Sequence, residues 1–157
     1  MKAFAGRHLV LRVGAVAVLA CLYAGRAEAQ NISLDPTFGS VTLKAGFLPD
    51  PFVKNLIAGG PIQTNLGGVR AWIANPPDFK LYYTAGNFAL TIHAESDADT
   101  TLLINRPDGT WVADDDSGGN LNPLIRFARP LSGRYDIYVG TFNQGNARAT
   151  LFITELK

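Results

Sequence analysis

Six of the 13 acidic residues lie between Asp97 and Asp116. Carboxylates this close repel one another unless a cation, basic neighbours, backbone N–H groups or water offset the charge. Ca²⁺ takes about six to eight oxygen ligands, mainly from carboxylates and carbonyls. The residue types therefore predict a calcium site in consecutive loops, formed by Asp97, Asp99, Asp114, Asp115 and Asp116.

A purely structural role for these carboxylates is the alternative. Asp side chains accept hydrogen bonds from the backbone two or three residues further on, and so stabilise turns at strand ends. Arg106 and Arg126 are the nearby cations with which they would pair. The spacing differs from that of an EF-hand loop, which needs a central glycine and a closing glutamate. If an ion binds at these loops, we expect it to stiffen them rather than to catalyse a reaction.

His93 is the only histidine after residue 30 and would have to serve any Ser-His-Asp hydrolase. It alternates with Thr91 and Glu95 on the polar side of a predicted strand, a position typical of an ordinary surface residue. The chain has no Gly-x-Ser-x-Gly motif around a serine nucleophile. Paired carboxylates such as Asp97 and Asp115 are the alternative route to a hydrolase, since two carboxyl groups cleave glycosides. We expect no catalysis, because the sequence shows no nucleophile with its base.

The acidic residues and His93 lie on or between short predicted strands. Turn-forming sequences recur every eight to twelve residues, which is the spacing of short strands. Between them, apolar and polar residues alternate with the period of a half-buried strand. In Phe88–Glu95, for example, Phe88, Leu90, Ile92 and Ala94 share one side. The other predicted strands lie around 41–44, 79–83, 101–105, 111–113, 124–127, 135–139 and 147–156.

Eight or nine such strands predict an all-β fold, an antiparallel β-sandwich with a jelly-roll-like arrangement. No segment has the periodicity of an amphipathic helix. The segment Pro51–Ile57 is the best candidate for a short helical turn, because Asp50 can cap it and proline is favoured at the first helical position.

Residues 1–29 have the three parts of a secretory signal peptide. Basic residues come first, the uncharged apolar run Val13–Leu22 follows, and Ala27 and Ala29 precede a cleavage site before Gln30. The apolar run is shorter than the roughly 20 residues that span a bilayer. A lipoprotein anchored through Cys21 is the alternative, although Leu19 is large for that processing site. We therefore expect a periplasmic or secreted protein.

Cleavage leaves a single domain, residues 30–157, with 10 basic and 12 acidic groups and a net charge of −2. This charge gives no electrostatic basis for nucleic-acid binding. The domain contains no cysteine, which excludes disulfides and cysteine-based zinc sites. Its hydrophobic core must therefore stabilise it alone.

Five aromatic residues have two interpretations. They either complete the sandwich core or form an exposed platform that stacks against sugars or peptides, and core positions are the more usual. The residues are Trp72, Tyr82, Trp111, Tyr138 and Phe142.

Four segments together resemble the bacterial pre-peptidase C-terminal domain family. They are the Asp-rich segment Ser96–Ile104, the turn Pro107–Trp111, the loop Asp114–Ser117 and the strand Ser132–Gly140, and the resemblance covers about residues 79–156. It implies a jelly-roll-like sandwich of the kind appended to secreted peptidases, some of which bind calcium or an extracellular polymer. The acidic positions implied by the family are the same five aspartates. This chain carries no catalytic domain and lacks the cysteine pair of some relatives.

The sequence thus favours an exported, non-catalytic binding or structural module with a candidate stabilising Ca²⁺ site, whose partner is a protein or an extracellular polymer. Two alternatives stay open. One is a secreted peptidase-like or glycosidase-like hydrolase, and the other is an accessory subunit that docks on a separately encoded protease.

Overall fold

The computed structural model describes residues 30–156, which form eleven β-strands in two sheets and contain no helix. The predicted signal peptide, residues 1–29, and Cys21 lie outside the described residues. The larger sheet has seven strands, with β10 at its centre beside β5, β4 and β7. Its strands are β1 (Ser40–Lys44), β3 (Ile62–Leu66), β4 (Val69–Ile73), β5 (Phe79–Thr84), β7 (Thr100–Asn105), β8 (Trp111–Asp114) and β10 (Gly133–Thr141).

The smaller sheet has four antiparallel strands in the order β2, β11, β6, β9. The main core lies between the two sheets and is formed by alternate buried residues of six strands, namely β2, β5, β6, β7, β10 and β11. Leu90, Ile92 and Ala94 of β6 face this core as predicted, whereas Phe88 lies outside the strand and is exposed. The strands of the sheet are β2 (Phe52–Gly59), β6 (Leu90–Glu95), β9 (Leu124–Phe127) and β11 (Asn146–Thr154).

The all-β sandwich is confirmed, but three of the eleven strands were not predicted. The short helical turn proposed for Pro51–Ile57 is wrong, because residues 52–57 belong to β2 and each pairs with a residue of β11. Eight cross-strand pairs outweigh the local preference for a capped turn. The hairpin of β3 and β4 was also missed, although Gly67 and Gly68, both at positive φ, form its two-residue turn.

One strand pair departs from the expected antiparallel pattern. β1 and β5 run parallel, with Val41 opposite Leu81. Parallel neighbours need a crossover connection. Here the chain leaves β1 to form β2 in the other sheet, then forms the β3–β4 hairpin, before it returns as β5.

The start of β10 is fixed by a tyrosine whose hydroxyl binds the chain just upstream. The Tyr135 hydroxyl donates to the Leu131 carbonyl and accepts from the Leu131 N–H, both at 2.8 Å. A Cβ at Gly133 would lie 2.7 Å from Pro107. The Gly-x-Tyr motif therefore anchors a corner of the sandwich, as tyrosine corners do in other β-sandwiches.

Asp78, just before β5, is an ionisable group at the centre of the fold. It is 1% exposed, and its Oδ2 accepts a hydrogen bond from the Val139 N–H at 2.8 Å. Burial raises the pKa of Asp78 from 3.8 to about 8, although the Val139 hydrogen bond acts in the opposite direction. This carboxyl group is therefore largely protonated in the folded protein at neutral pH.

A second, smaller core covers the outer side of the larger sheet. Tyr138 and Leu103 are fully buried there, and Trp111 packs against Tyr138 with ring centroids 5.8 Å apart. Tyr138 is thus a core residue, whereas Tyr82 is 43% exposed. Among the described residues, no helix has the length and hydropathy to cross a membrane.

Candidate functional site

Two loops at one end of the sandwich meet at Asn122. The loop between β6 and β7 and the loop between β8 and β9 both connect one sheet to the other, and they share hydrogen bonds. Asn122 Oδ1 accepts from the Ser96 N–H at 2.9 Å and from the Thr100 hydroxyl at 3.2 Å. The Thr100 N–H also donates to the Leu121 carbonyl. Asn122 therefore holds the two acidic loops side by side.

Three of the five predicted ligands converge across these loops. One carboxylate oxygen from each of Asp99, Asp115 and Asp116 lies within 4.8 Å of the others. Asp99 and Asp115 are half-buried and Asp116 is exposed. The Oδ1 atoms of Asp99 and Asp115 are shielded from solvent and accept no hydrogen bond from a described residue. We call these three residues the acidic triad.

The pKa values in the triad reflect burial and mutual repulsion. Burial, together with the charges of Asp116, Asp99 and Asp114, raises the pKa of Asp115 to about 6. Burial and the charge of Asp116 also raise the pKa of Asp99. Arg70 opposes both shifts, but within residues 30–156 its guanidinium makes no ion pair within 4.0 Å and lies 4.2 Å from the Phe142 ring centroid. The triad is therefore only partly neutralised.

The other two predicted ligands lie outside the triad. Asp114 accepts hydrogen bonds from the Ser117 hydroxyl at 2.6 Å, the Ser117 N–H at 3.0 Å and the Leu124 N–H at 2.8 Å. It thus closes the turn after β8 and ties it to β9. Asp97 is exposed and lines a groove on the smaller sheet.

Asp108 and its neighbours fit the structural alternative. Asp108 accepts hydrogen bonds from the Thr110 hydroxyl at 2.7 Å and the Thr110 N–H at 3.1 Å, and these lower its pKa. Arg106 lies 3.5 Å away as its ion-pair partner. Arg126 contacts none of the acidic residues among those described and donates to the Thr91 hydroxyl at 3.0 Å.

His93 lies in the middle of the smaller sheet, on its outer side. Its ring stacks on that of Phe152, with centroids 4.7 Å apart and planes inclined by 7°. Burial lowers the pKa of His93, although the charge of Glu95, 4.0 Å from Nδ1, acts the other way. Within residues 30–156, no hydroxyl group donates a hydrogen bond to His93. Its surroundings are those of a packed strand residue.

The outer side of the smaller sheet also contains an open groove of about 980 Å³ that the sequence did not reveal. Polar side chains from three strands and two loops line it. In the sequence they are only the polar half of an alternating pattern, so their grouping depends on strand order. The groove is lined by Asn55, Glu95, Asp97, Asn120, Arg148 and Thr150, among others.

No family model and no curated protein matches the chain. Among solved structures, the crystal structure of Aeromonas hydrophila PliG, a periplasmic lysozyme inhibitor of g-type lysozyme, is similar to it with a TM-score of 0.37 and 12% sequence identity. The match covers 74% of this chain and 96% of that one. We base no functional conclusion on a likeness this distant.

Proposed function

We propose that the chain is an exported, non-catalytic β-sandwich module that binds a protein or an extracellular polymer, and that Ca²⁺ at Asp99, Asp115 and Asp116 stabilises its acidic end. The observation that carries the calcium part is the convergence of three carboxylates from two loops, with two buried oxygens that accept no hydrogen bond from a described residue. Carboxylate oxygens suit Ca²⁺, and water and carbonyl oxygens would complete its coordination.

The cation would act as a cross-link between loops. Asp99 belongs to the connection after β6, and Asp115 and Asp116 follow β8. Removing repulsion within the triad would tighten the contact that Asn122 already makes. Placed there, the ion stabilises the fold, and we assign it no step in a reaction.

Membership of the pre-peptidase C-terminal domain family belongs to the same proposal. Support comes from the structural roles of the motif residues. Gly133 and Tyr135 form the corner at the start of β10, and Asp114 closes the loop after β8. Export rests on the signal-peptide pattern of residues 1–29.

Thermal melting in CaCl₂, MgCl₂ and EDTA tests the calcium site. A ligand present at 100 times its Kd stabilises the fold by about 2.7 kcal/mol, so we expect millimolar Ca²⁺ to raise the Tm of the wild-type protein by several degrees relative to EDTA. Asp115→Asn should lose this response. In EDTA this variant should melt above the wild-type protein, because it carries less repulsion.

Asp97→Asn is the matched control, because Asp97 is a neighbouring carboxylate outside the triad. It should keep the full response to calcium.

The Tm response of the wild-type protein to calcium should also be smaller at pH 5 than at pH 7.5, because Ca²⁺ must displace a proton once the pH falls below the pKa of Asp115, about 6. An unchanged Tm in millimolar Ca²⁺, or a response that survives in Asp115→Asn, would contradict the proposal.

A further inference from the structure

The outer side of the smaller sheet has a row of four residues, one from each strand. Phe152 of β11 lies opposite Val53 of β2 on one side and His93 of β6 on the other, and His93 lies opposite Leu124 of β9. We call these four residues the apolar row. Because they are direct cross-strand neighbours, they form a continuous ridge across the whole sheet.

The ridge is apolar and open to solvent. Val53 is 47% exposed, and the His93 side chain retains 22% exposure while it stacks on Phe152. The ridge separates the 980 Å³ groove from a second depression of about 570 Å³, and His93 lines both. A contiguous apolar surface of this kind is typical of an interaction site.

The two sides of the ridge carry opposite charges. Glu95 lies two residues beyond His93 on β6, on the side of the larger groove, and Arg126 lies two residues beyond Leu124 on β9, on the other side. Arg126 has no ion pair among residues 30–156, and among those residues the only ion-pair contact of Glu95 is with His93 at 4.0 Å. Glu95 shares the larger groove with one further carboxylate, Asp97, and one cation, Arg148. The face therefore has an apolar centre, one flank with a net negative charge and one flank with the cation Arg126.

We propose that this face binds a second copy of the chain, with the two-fold axis along the apolar row. The two-fold rotation places the apolar row of one copy against the apolar row of the other. The acidic flank of each copy then faces the basic flank of its partner. Glu95 of each copy then approaches Arg126 of the other, on adjacent strands about 5 Å apart laterally. The face is thus complementary to itself in charge, as an isologous interface requires.

The size of the face sets the strength of the dimer. The strands β2, β11, β6 and β9 have eight, nine, six and four residues, so at about 3.4 Å per residue and about 4.8 Å between strands they present roughly 450 Å² per copy. Two copies would bury roughly 900 Å², the size of a weak, transient interface. We therefore expect a reversible dimer with a Kd in the micromolar range.

Sedimentation velocity tests the dimer on protein expressed from the full 157-residue sequence. We expect a monomer at about 1 µM and a dimer at several hundred µM. Val53→Lys places two like charges opposite each other at one end of the apolar row and should raise the dimer Kd at least ~10-fold. Tyr82→Lys is the matched control, because Tyr82 is 43% exposed on the larger sheet, and it should dimerise like the wild-type protein.

A charge exchange tests the orientation and does not depend on how Val53→Lys folds. Glu95→Arg and Arg126→Glu should each raise the dimer Kd about 10-fold. Each variant replaces both symmetry-related Glu95–Arg126 contacts of the dimer with pairs of like charges. The double variant should restore the wild-type Kd. Circular dichroism and melting of each variant check the fold.

Three results would overturn the proposal. A monomer at every concentration would exclude a second copy of the chain as the occupant of this face. A dimer insensitive to Val53→Lys would lie on another face. A double variant as weak as the single variants would exclude the proposed axis. None of these outcomes depends on calcium, so they are independent of the proposed metal site.

Discussion

Asp78 provides the sharpest test of the energetics of this fold. Its carboxyl group is 1% exposed, and its pKa is raised from 3.8 to about 8 by burial. Between these two pH values the unfolded chain releases the Asp78 proton and the folded protein keeps it. Rising pH therefore favours unfolding, and this contribution to stability is complete below the unfolded pKa and is lost as the pH rises to about 8.

Asp78→Asn removes this dependence while it keeps the shape of the side chain. The amide oxygen can still accept the hydrogen bond from the Val139 N–H. Between the unfolded and folded pKa values of Asp78, each pH unit lowers the free energy of unfolding of the wild-type protein by up to ~1.4 kcal/mol. Removing the carboxyl group would therefore raise this free energy by at most on the order of 4 kcal/mol at pH 7. The buried amide N–H groups need partners, which costs about 1–3 kcal/mol. We expect a net gain of about 1–3 kcal/mol at pH 7.

Calorimetric melting at several pH values between about 4 and 8 measures this effect. The quantity of interest is the difference in free energy of unfolding between Asp78→Asn and the wild-type protein, because other titrating groups cancel in it. Asp35→Asn makes the same substitution at an exposed position and is the control against which the Asp78→Asn difference is compared at each pH. If the difference for Asp78→Asn is flat over this range, the carboxyl group is not held protonated by burial and the reasoning fails.

Two further predictions concern the corner at the start of β10 and the predicted cleavage site before Gln30. Tyr135→Phe should lower the free energy of unfolding by about 1–3 kcal/mol, because the Leu131 N–H and carbonyl both lose their hydrogen-bond partner. Calorimetry should show a lower Tm for this variant but not for the control Tyr82→Phe at an exposed position. Intact-mass spectrometry of the exported protein should give a chain that begins at Gln30, and Ala29→Arg should block this processing; a mass that retains residues 1–29 would contradict the signal-peptide prediction.

Eight of the eleven strands were predictable because their apolar residues alternate and clear turn sequences separate them. The strand β6 shows how well this works, since Leu90, Ile92 and Ala94 all face the core. The missed strands have weaker patterns. β2 lies at a sheet edge with Val53 and Ile57 exposed, so its alternation does not separate apolar from polar residues.

The acidic loops were predictable, but the membership of the triad was not. Sequence spacing treats Asp114, Asp115 and Asp116 as equivalent. The strand β8 ends at Asp114, and this residue turns toward the backbone of Ser117 and Leu124, whereas Asp115 and Asp116 turn toward Asp99. Which carboxylates meet thus depends on where one strand ends.

The sequence by itself determined the class of fold, the places where the chain turns and the concentration of acidic residues, because each depends on local propensity and on period-two alternation. Tertiary structure alone decided which strands are neighbours. That order places Val53, Phe152, His93 and Leu124 in one row although they come from distant parts of the chain. It also brings Asp99 beside Asp115. Pairing between distant strands depends on packing across two sheets, which no local pattern encodes.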